Sequence, residues 1–348
     1  MHREFRPSPE PRRGAGSLPA AHQGRTGRAV FPSGTAGLLT RRAAPLNRNS
    51  LQGFWRLADP KISLASFSGL FLGACVAAAH QPLNWPWLLL TITGVFFVEI
   101  AKNASGEVVD YDSGTDLAVT PEDRSPFSGG KRVIVDGLLS RSQTVVIAVV
   151  FYLGAVLVGL GIVVFIDTRV LGIGVLGMAL AWYYHGGSLR LSYRGLGELA
   201  VAIAYGPLVV CGTYLVQSGY LYAPLIHASI ALGLLVAAFL WINEFPDARA
   251  DRAAGKQTLV VRLGTGRAMV GYVALLTAGY VWLLLTVIYY PQARGLGWGL
   301  LGSLPASLSA WRLLDSGGRT AELIPAQAAC LASFLLMSVA AGLGYLLS

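Results

Sequence analysis

The chain has 348 residues, of which 54% are hydrophobic and only 13% charged, and its mean hydropathy is +0.55. That balance lies outside the range of soluble domains, so a water-soluble globular enzyme is excluded and the sequence reads as a polytopic membrane protein. A formal charge of +9 would point to nucleic acid in a soluble chain, but the placement of the bases points to lipid and away from a nucleic-acid partner.

Residues 1–57 come first, with ten Arg against Glu4 and Glu10 and many Pro, Gly and Ala. They lack the apolar stretch of a cleaved signal peptide. They read as a disordered basic arm against anionic lipid, or as residues ahead of the true start, with a membrane domain over 58–348. Runs near the ~20 apolar residues that cross a bilayer follow. They lie at about 62–80, 85–108, 143–166, 170–187, 197–216, 222–242, 268–289, 295–310 and 325–347. The expected fold is all-α, a polytopic transmembrane helix bundle of about nine spans, with eight as the alternative. Cys75, Cys211 and Cys330 fall inside these runs, far apart, and fit packing in small apolar gaps.

The remaining bases set the topology. With the N-terminus in the cytoplasm, the cytoplasmic loops hold thirteen bases from Arg124 to Arg319, and the opposite loops only Arg169 and Arg294. This positive-inside bias predicts a cytoplasmic N-terminus in the cell (inner) membrane and, with nine spans, an external C-terminus.

Ten of the eighteen acids occupy two short windows at cytoplasmic helix ends. Behind the second span stand Glu99, Glu107, Asp110, Asp112, Asp116, Glu122 and Asp123; behind the sixth stand Glu244, Asp247 and Asp251. A charge at mid-bilayer costs ~3 kcal/mol on insertion scales, so these carboxylates must line a wet cavity or lie at the interface. Asn243, Asp247 and Asp251 are spaced i, i+4, i+8 and share one helical face, with Pro246 expected to kink the helix. Asn103, Glu107 and Asp110 likewise share a face, Glu99 lies one turn before, and Gly114 lets the chain turn to deliver Asp116.

Carboxylates this close repel unless cations lie between them. Hard oxygen ligands without His or Cys suit Mg²⁺, which usually completes its shell with water and substrate phosphates. Each window is followed by a basic, glycine-containing loop, SPFSGGKRVIVDG (125–137) and RAAGKQTLVVRLG (252–264). Lys131, Arg132, Lys256 and Arg262 suit phosphate oxygens, and the glycines let the backbone approach. If the windows meet in space, they form a cytoplasmic-side cavity that binds a diphosphate.

Each feature also has a plainer meaning. A single charged helix end is most often a topogenic flank; two, with matching spacing and loops, are harder to dismiss so. GGK at 129–131 lacks the GxxxxGK[ST] frame of a nucleotide loop. His185 reads as a polar cap. Trp182, Tyr183, Tyr184 and Tyr193 suit an interfacial belt, although their ring faces could also serve a cation.

The run NEFPDARADRAAGKQTLVVRLG (243–264) resembles the second signature of the UbiA superfamily of intramembrane prenyltransferases, N-x-x-x-D-x-x-x-D followed by GK-x-T-x-x-x-R-LG. Residues 183–219 are similar to the branch that prenylates 1,4-dihydroxy-2-naphthoate, with Y-x-GLGE and GTY-x-VQ runs. The resemblance covers roughly 58–348. The first signature departs from N-D-x-x-D: GEVVDYDSGTD puts Gly106 and Glu107 where Asn and Asp are usual, while Asp110 and Asp116 keep register and Asn103 lies one turn earlier. The usual arginine-proline of the following loop is also absent, with Gly130 and Lys131 in its region.

The resemblance implies an allylic polyprenyl diphosphate donor whose tail lies in a lateral groove open to lipid, and an aromatic small-molecule acceptor. The acceptor implied is 1,4-dihydroxy-2-naphthoate, in menaquinone biosynthesis; 4-hydroxybenzoate, homogentisate and a tetrapyrrole are the alternatives. Mg²⁺ would lie among Glu107, Asp110, Asp116, Asp247 and Asp251 with Asn103 and Asn243. Lys131, Arg132, Arg190, Arg194, Lys256 and Arg262 would share the oxyanion. Tyr184 or Tyr193 would face an allylic cation, and Glu198 would orient the acceptor. A cation-coupled secondary transporter is the competing class, but its acids belong near the midplane and not at one face.

Overall fold

The computed structural model describes residues 48–348. These form thirteen α-helices and no strand: α1 (Arg48–Ala58), α2 (Ser63–His80), α3 (Trp85–Asp112), α4 (Thr115–Ala118), α5 (Arg141–Phe165), α6 (Val170–His185), α7 (Gly197–Ile203), α8 (Val209–Ser218), α9 (Ala223–Ala253), α10 (Leu259–Leu263), α11 (Thr265–Tyr289), α12 (Ser303–Ser316) and α13 (Thr320–Leu346). Helix starts follow local chemistry. The Asn84 side chain accepts the Trp87 N–H ahead of α3, and Ser140 with Gln143 closes a capping box on α5.

Among the described residues, seven helical stretches are long and apolar enough to cross a membrane: 63–80, 85–112, 141–165, 197–218, 223–253, 265–289 and 320–346. The fourth joins α7 and α8 through a π-helical turn, Ala204–Leu208, around Pro207. Two of the nine expected spans differ. That at 170–187 is the 16-residue α6, and that at 295–310 is a 3-10 stretch, Pro291–Gly302, running into α12. The glycines explain the second: Cβ atoms at Gly295, Gly299 and Gly302 would lie 2.5–3.0 Å from backbone atoms of α13, so this stretch packs backbone to backbone.

Apolar surface is arranged for lipid. In α5, which has the highest hydropathy of the seven, only 17% of the most apolar window is buried, and Val146, Leu153, Leu157, Val164 and Phe165 all face outward. In α9 the figure is 72%, which makes it the central post of the core, with Leu232, Val236, Ile242 and Phe245 enclosed by α2, α11 and α13. The α7–α8 span crosses this post closely: a Cβ at Gly206 would come within 2.4 Å of Ser229 O, and one at Gly233 within 2.3 Å of Ala202 O. Hydroxyls join other pairs, Tyr272 to Ser309 at 2.6 Å and Ser338 to the Ser68 carbonyl at 2.6 Å. His80 bonds Tyr214 (2.7 Å) and Tyr345 (2.8 Å), joining α2, α8 and α13. The three cysteines are buried and unpaired by disulfides.

Most of the arm expected over 1–57 falls on residues that are not described, and its last part is helical. Residues 1–47 lie outside the described residues, but 48–58 form α1. Leu57 is fully buried against Ala104, Val133, Leu139 and Ala148, which fixes this helix to the body. Helix α9 also runs unbroken through Pro246 to Ala253; the missing donor does not end it.

Candidate active site

The C-terminal half of α3 and the C-terminal end of α9 line one cavity of about 500 Å³. The first brings Asn103, Glu107 and Asp110; the second brings Asn243, Glu244, Asp247 and Asp251. Two acidic windows about 140 residues apart in sequence therefore share one chamber. Tyr184 and His185 at the end of α6 also reach it, with Lys131, Lys256 and, beyond α1, Asp59.

The two basic loops wrap the chamber by different devices. Gly129 donates its N–H to Asp247 Oδ1 at 2.8 Å, and Glu107 Oε1 accepts the Ile134 N–H at 3.0 Å, so the 125–139 loop is fastened to both acidic helices. Gly129 and Gly130 have φ of +93° and +73°, conformations that favour glycine. A Cβ on Gly130 would stand 2.2 Å from Asp116 Oδ1. In the other loop, Lys256 Nζ lies 3.4 Å from Asp251 Oδ1. Lys131 Nζ pairs with Asp59 Oδ2 at 2.9 Å. Asp110 is held from the side: Tyr193 donates to Oδ1 at 3.2 Å, and His185 Nδ1 stands 3.8 Å from Oδ2.

Asp116 is delivered by Gly114 (φ +79°) to the start of α4, where it is 2% exposed and behind the cavity wall. Arg132 holds its backbone carbonyl, and its Oδ2 has no partner. Burial, then the nearby Glu107 and Asp110 carboxylates, push the Asp116 carboxyl up to about 8. Burial pulls the other way on Lys256, but Asp251 and Asp110 outweigh it and hold the ammonium well above its usual value. The chamber thus carries acid groups short of cations.

A cation would relieve this. Among the described residues no three Asp, Glu, His or Cys side chains stand close enough to cage an ion alone. The unpartnered Asn243 Oδ1 lines the chamber with Glu107, Asp110, Asp247 and Asp251, an all-oxygen set that leaves positions for water or a phosphate, while Asp116 with its unpartnered Oδ2 lies outside that lining. That fits Mg²⁺, which binds few protein ligands.

Several expected site residues lie elsewhere because their polar groups are engaged. Arg190 stacks 3.7 Å over the Tyr193 ring, Arg194 donates to Ser188 O at 3.0 Å, and Arg262 to Gln257 O at 3.0 Å. None of the three lines the cavity, nor does Arg132. Glu198 accepts the Leu259 N–H at 3.1 Å and so anchors α10 behind the chamber, not in it.

Lys102 had no place in the expected set. It lines the cavity with its ammonium 5.4 Å from the Tyr184 ring centroid. A second cavity of about 220 Å³ begins at this pair and runs among apolar side chains of α3, α5, α6 and the α7–α8 span, including Val98, Ala155, Ile162, Leu208 and Val216. A lone lysine inside an apolar span, three residues after Glu99, was the signal in the sequence.

Comparison with known proteins adds relatives. The UbiA prenyltransferase family profile matches residues 67–329. A 1,4-dihydroxy-2-naphthoate octaprenyltransferase of Bacillus subtilis (strain 168) is 28% identical over 247 residues, 71% of this chain and 77% of its own. The enzyme so named from Mycobacterium tuberculosis is 30% identical over 271 residues, 77% of this chain and 88% of its own. A UbiA homolog from Archaeoglobus fulgidus bound to GPP and Mg²⁺ superposes with a TM-score of 0.53 at 13% identity, covering 68% of this chain and 78% of that one.

Proposed function

The chain belongs to the UbiA prenyltransferase family and is a multi-pass membrane prenyltransferase; we propose that it moves a polyprenyl group from an allylic diphosphate to 1,4-dihydroxy-2-naphthoate, with Mg²⁺ as cofactor. The observation that carries this reading is the convergence of acids from both windows and of Lys61, Lys102, Lys131 and Lys256 on one polar chamber that shares Lys102 and Tyr184 with an adjoining apolar cavity. A donor has the same division, an anionic head on an apolar tail.

Glu107, Asp110, Asp247 and Asp251, with Asn103 and Asn243, would hold the metal from the chamber wall, and Asp116, behind that wall beside Glu107 and Asp110, would join them only by displacing the Gly130 loop that covers it. When bound, Mg²⁺ would neutralise the diphosphate and make it a better leaving group. The ammonium groups of Lys131 and Lys256 take diphosphate oxygens directly. Arg132 acts through the Asp116 backbone that it holds. Arg190 and Arg262 fix Tyr193 and Gln257, and Arg194 fixes Ser188, so all three support the loops around the chamber and do not touch the diphosphate. As the allylic carbon–oxygen bond breaks, its electron pair leaves with the diphosphate. The carbon is then attacked by the electron-rich acceptor ring, whose displaced ring proton passes to an oxygen of the departed diphosphate. The Tyr184 ring, at the chamber's apolar mouth, faces the developing cation, and the enclosing helices exclude water. Glu198 orients the acceptor indirectly, through α10 and the loop that carries Lys256.

The naphthoate relatives and the 183–219 run support this acceptor over other phenols. The thirteen-to-two distribution of loop bases supports a cytoplasmic N-terminus and a cytoplasmic chamber in the cell membrane. The test is incubation of purified protein with labelled geranylgeranyl diphosphate, Mg²⁺ and a panel of phenolic acceptors. Prenylated naphthoate should dominate and should vanish with EDTA. Prenylation of 4-hydroxybenzoate or homogentisate in its place would refute the acceptor, and no prenylation of any phenol would refute the reaction.

A further inference from the structure

His185 ends α6, which packs against α3 and brings Tyr184 and His185 to the chamber. Its Nδ1 is buried, makes no hydrogen bond, and stands 3.8 Å from Asp110 Oδ2, too far for a bond and close enough for a shared partner. A polar cap would bond a neighbouring carbonyl or meet water; this nitrogen does neither. The imidazole lies flat against Gly106: a Cβ placed there would meet His185 Cδ2 at 2.5 Å and Nε2 at 2.8 Å. Gly106 is therefore the residue that admits the ring. It also stands where the prenyltransferase signature has its asparagine, so one neutral polar side chain is missing from α3 and another enters the same space from α6.

We propose that His185 is a binding residue for the donor's diphosphate, its ring turning from the enclosed position seen here so that Nδ1–H donates to a phosphate oxygen beside Asp110, and that Gly106 and His185 form an exchange pair replacing the missing amide. A neutral imidazole suits this task as an asparagine does. Each offers one donor to an oxygen-rich anion without adding charge to a chamber already ringed by carboxylates. The inference rests on the diphosphate reading above.

Five proteins test it: wild type, Gly106→Asn, His185→Phe, His185→Asn and the double variant Gly106→Asn/His185→Ala. Each is measured for melting temperature in detergent and for binding of geranyl thiolodiphosphate, an unreactive donor analogue, with Mg²⁺. Gly106→Asn alone should melt lower and lose analogue binding by clash; the double variant, which removes the ring, should recover both. His185→Phe keeps the ring's bulk without its donor and should bind the analogue about tenfold more weakly at unchanged melting temperature, and His185→Asn should restore most of that loss. The exchange is overturned if the double variant is no better than Gly106→Asn. The binding role is overturned if His185→Phe binds the analogue as wild type does, or if only the acceptor KM moves. If wild type itself fails to bind the analogue, the diphosphate reading falls and takes this inference with it.

Discussion

Asp247 and Asp251 differ in what they touch, yet both answer to the same charge balance. Asp247 accepts from Gly129 and Asp251 faces Lys256, so each carboxylate is only half-compensated and presents its remaining oxygen valence to the chamber. Asp247→Ala or Asp251→Ala should reduce prenyl transfer by at least about a hundredfold with the protein still inserted, since neither change removes core packing. Near-wild-type rates would refute the metal role. Asp116 gives a prediction with a sign. Its folded carboxyl titrates at about 8 against an ordinary 3.8, so between those values the folded protein holds a proton that the unfolded chain has lost. Without metal, stability should therefore fall as pH rises through that window, and added Mg²⁺ should flatten the loss because it favours the ionised form. Melting curves in detergent across pH, with and without Mg²⁺, check it; a metal-free protein that grows more stable over the same range would contradict the burial of Asp116. Gly130→Ala belongs here too. With φ at +73° and Asp116 Oδ1 2.2 Å from the added carbon, it should cost more than about 1 kcal/mol and weaken Mg²⁺-dependent analogue binding.

At the scale of elements, a hydrogen bond between helices explains Glu198. Its carboxylate receives the Leu259 N–H at the start of α10, and that helix ends the loop bearing Lys256. Glu198→Leu leaves that donor buried and unpaired at a cost of about 1–3 kcal/mol, while Glu198→Gln keeps an oxygen for it. The expected readout is a raised donor KM in the leucine variant and near-normal KM in the glutamine variant. Loss of acceptor selectivity with donor KM unmoved would return Glu198 to direct contact with the acceptor. The same element shows where sequence reading stops. Helical spacing placed Asn103, Glu107 and Asp110 on one face and Asn243, Asp247 and Asp251 on another, because periodicity is a property of the chain alone. Which base turns into the chamber is a property of packing: Lys131 and Lys256 do, whereas Arg190, Arg194 and Arg262 find nearer aromatic or carbonyl partners. The contact of His185 with Gly106 is likewise set by packing between α6 and α3 and has no mark in the spacing of either segment.

For the whole molecule, hydropathy made the bundle legible but not its edge. Apolar runs are set by the bilayer, so the long spans stand where composition places them, while the glycine-rich 291–302 stretch trades length for contact with α13. The N-terminal boundary is obscure in the sequence because α1 carries Arg56 and exposed Leu51 and Trp55, and its only large side chain that is fully buried is Leu57. That anchor and the Asp59–Lys131 pair join the N-terminal segment to the loop that fastens both acidic helices. Deleting residues 2–45 should thus leave melting temperature and transfer unchanged, whereas deleting residues 2–58 should remove Leu57 from its contacts, which for a buried leucine costs about 2–5 kcal/mol. The longer deletion should free the 125–139 loop, and transfer should drop more than Leu57→Ala alone drops it, because Arg56 also pairs with Asp136 at 2.8 Å in that loop. Steady-state kinetics and melting of the two truncations decide the matter. If the longer truncation turns over like the full chain, α1 is a passenger and the chamber is closed by the 125–139 loop unaided.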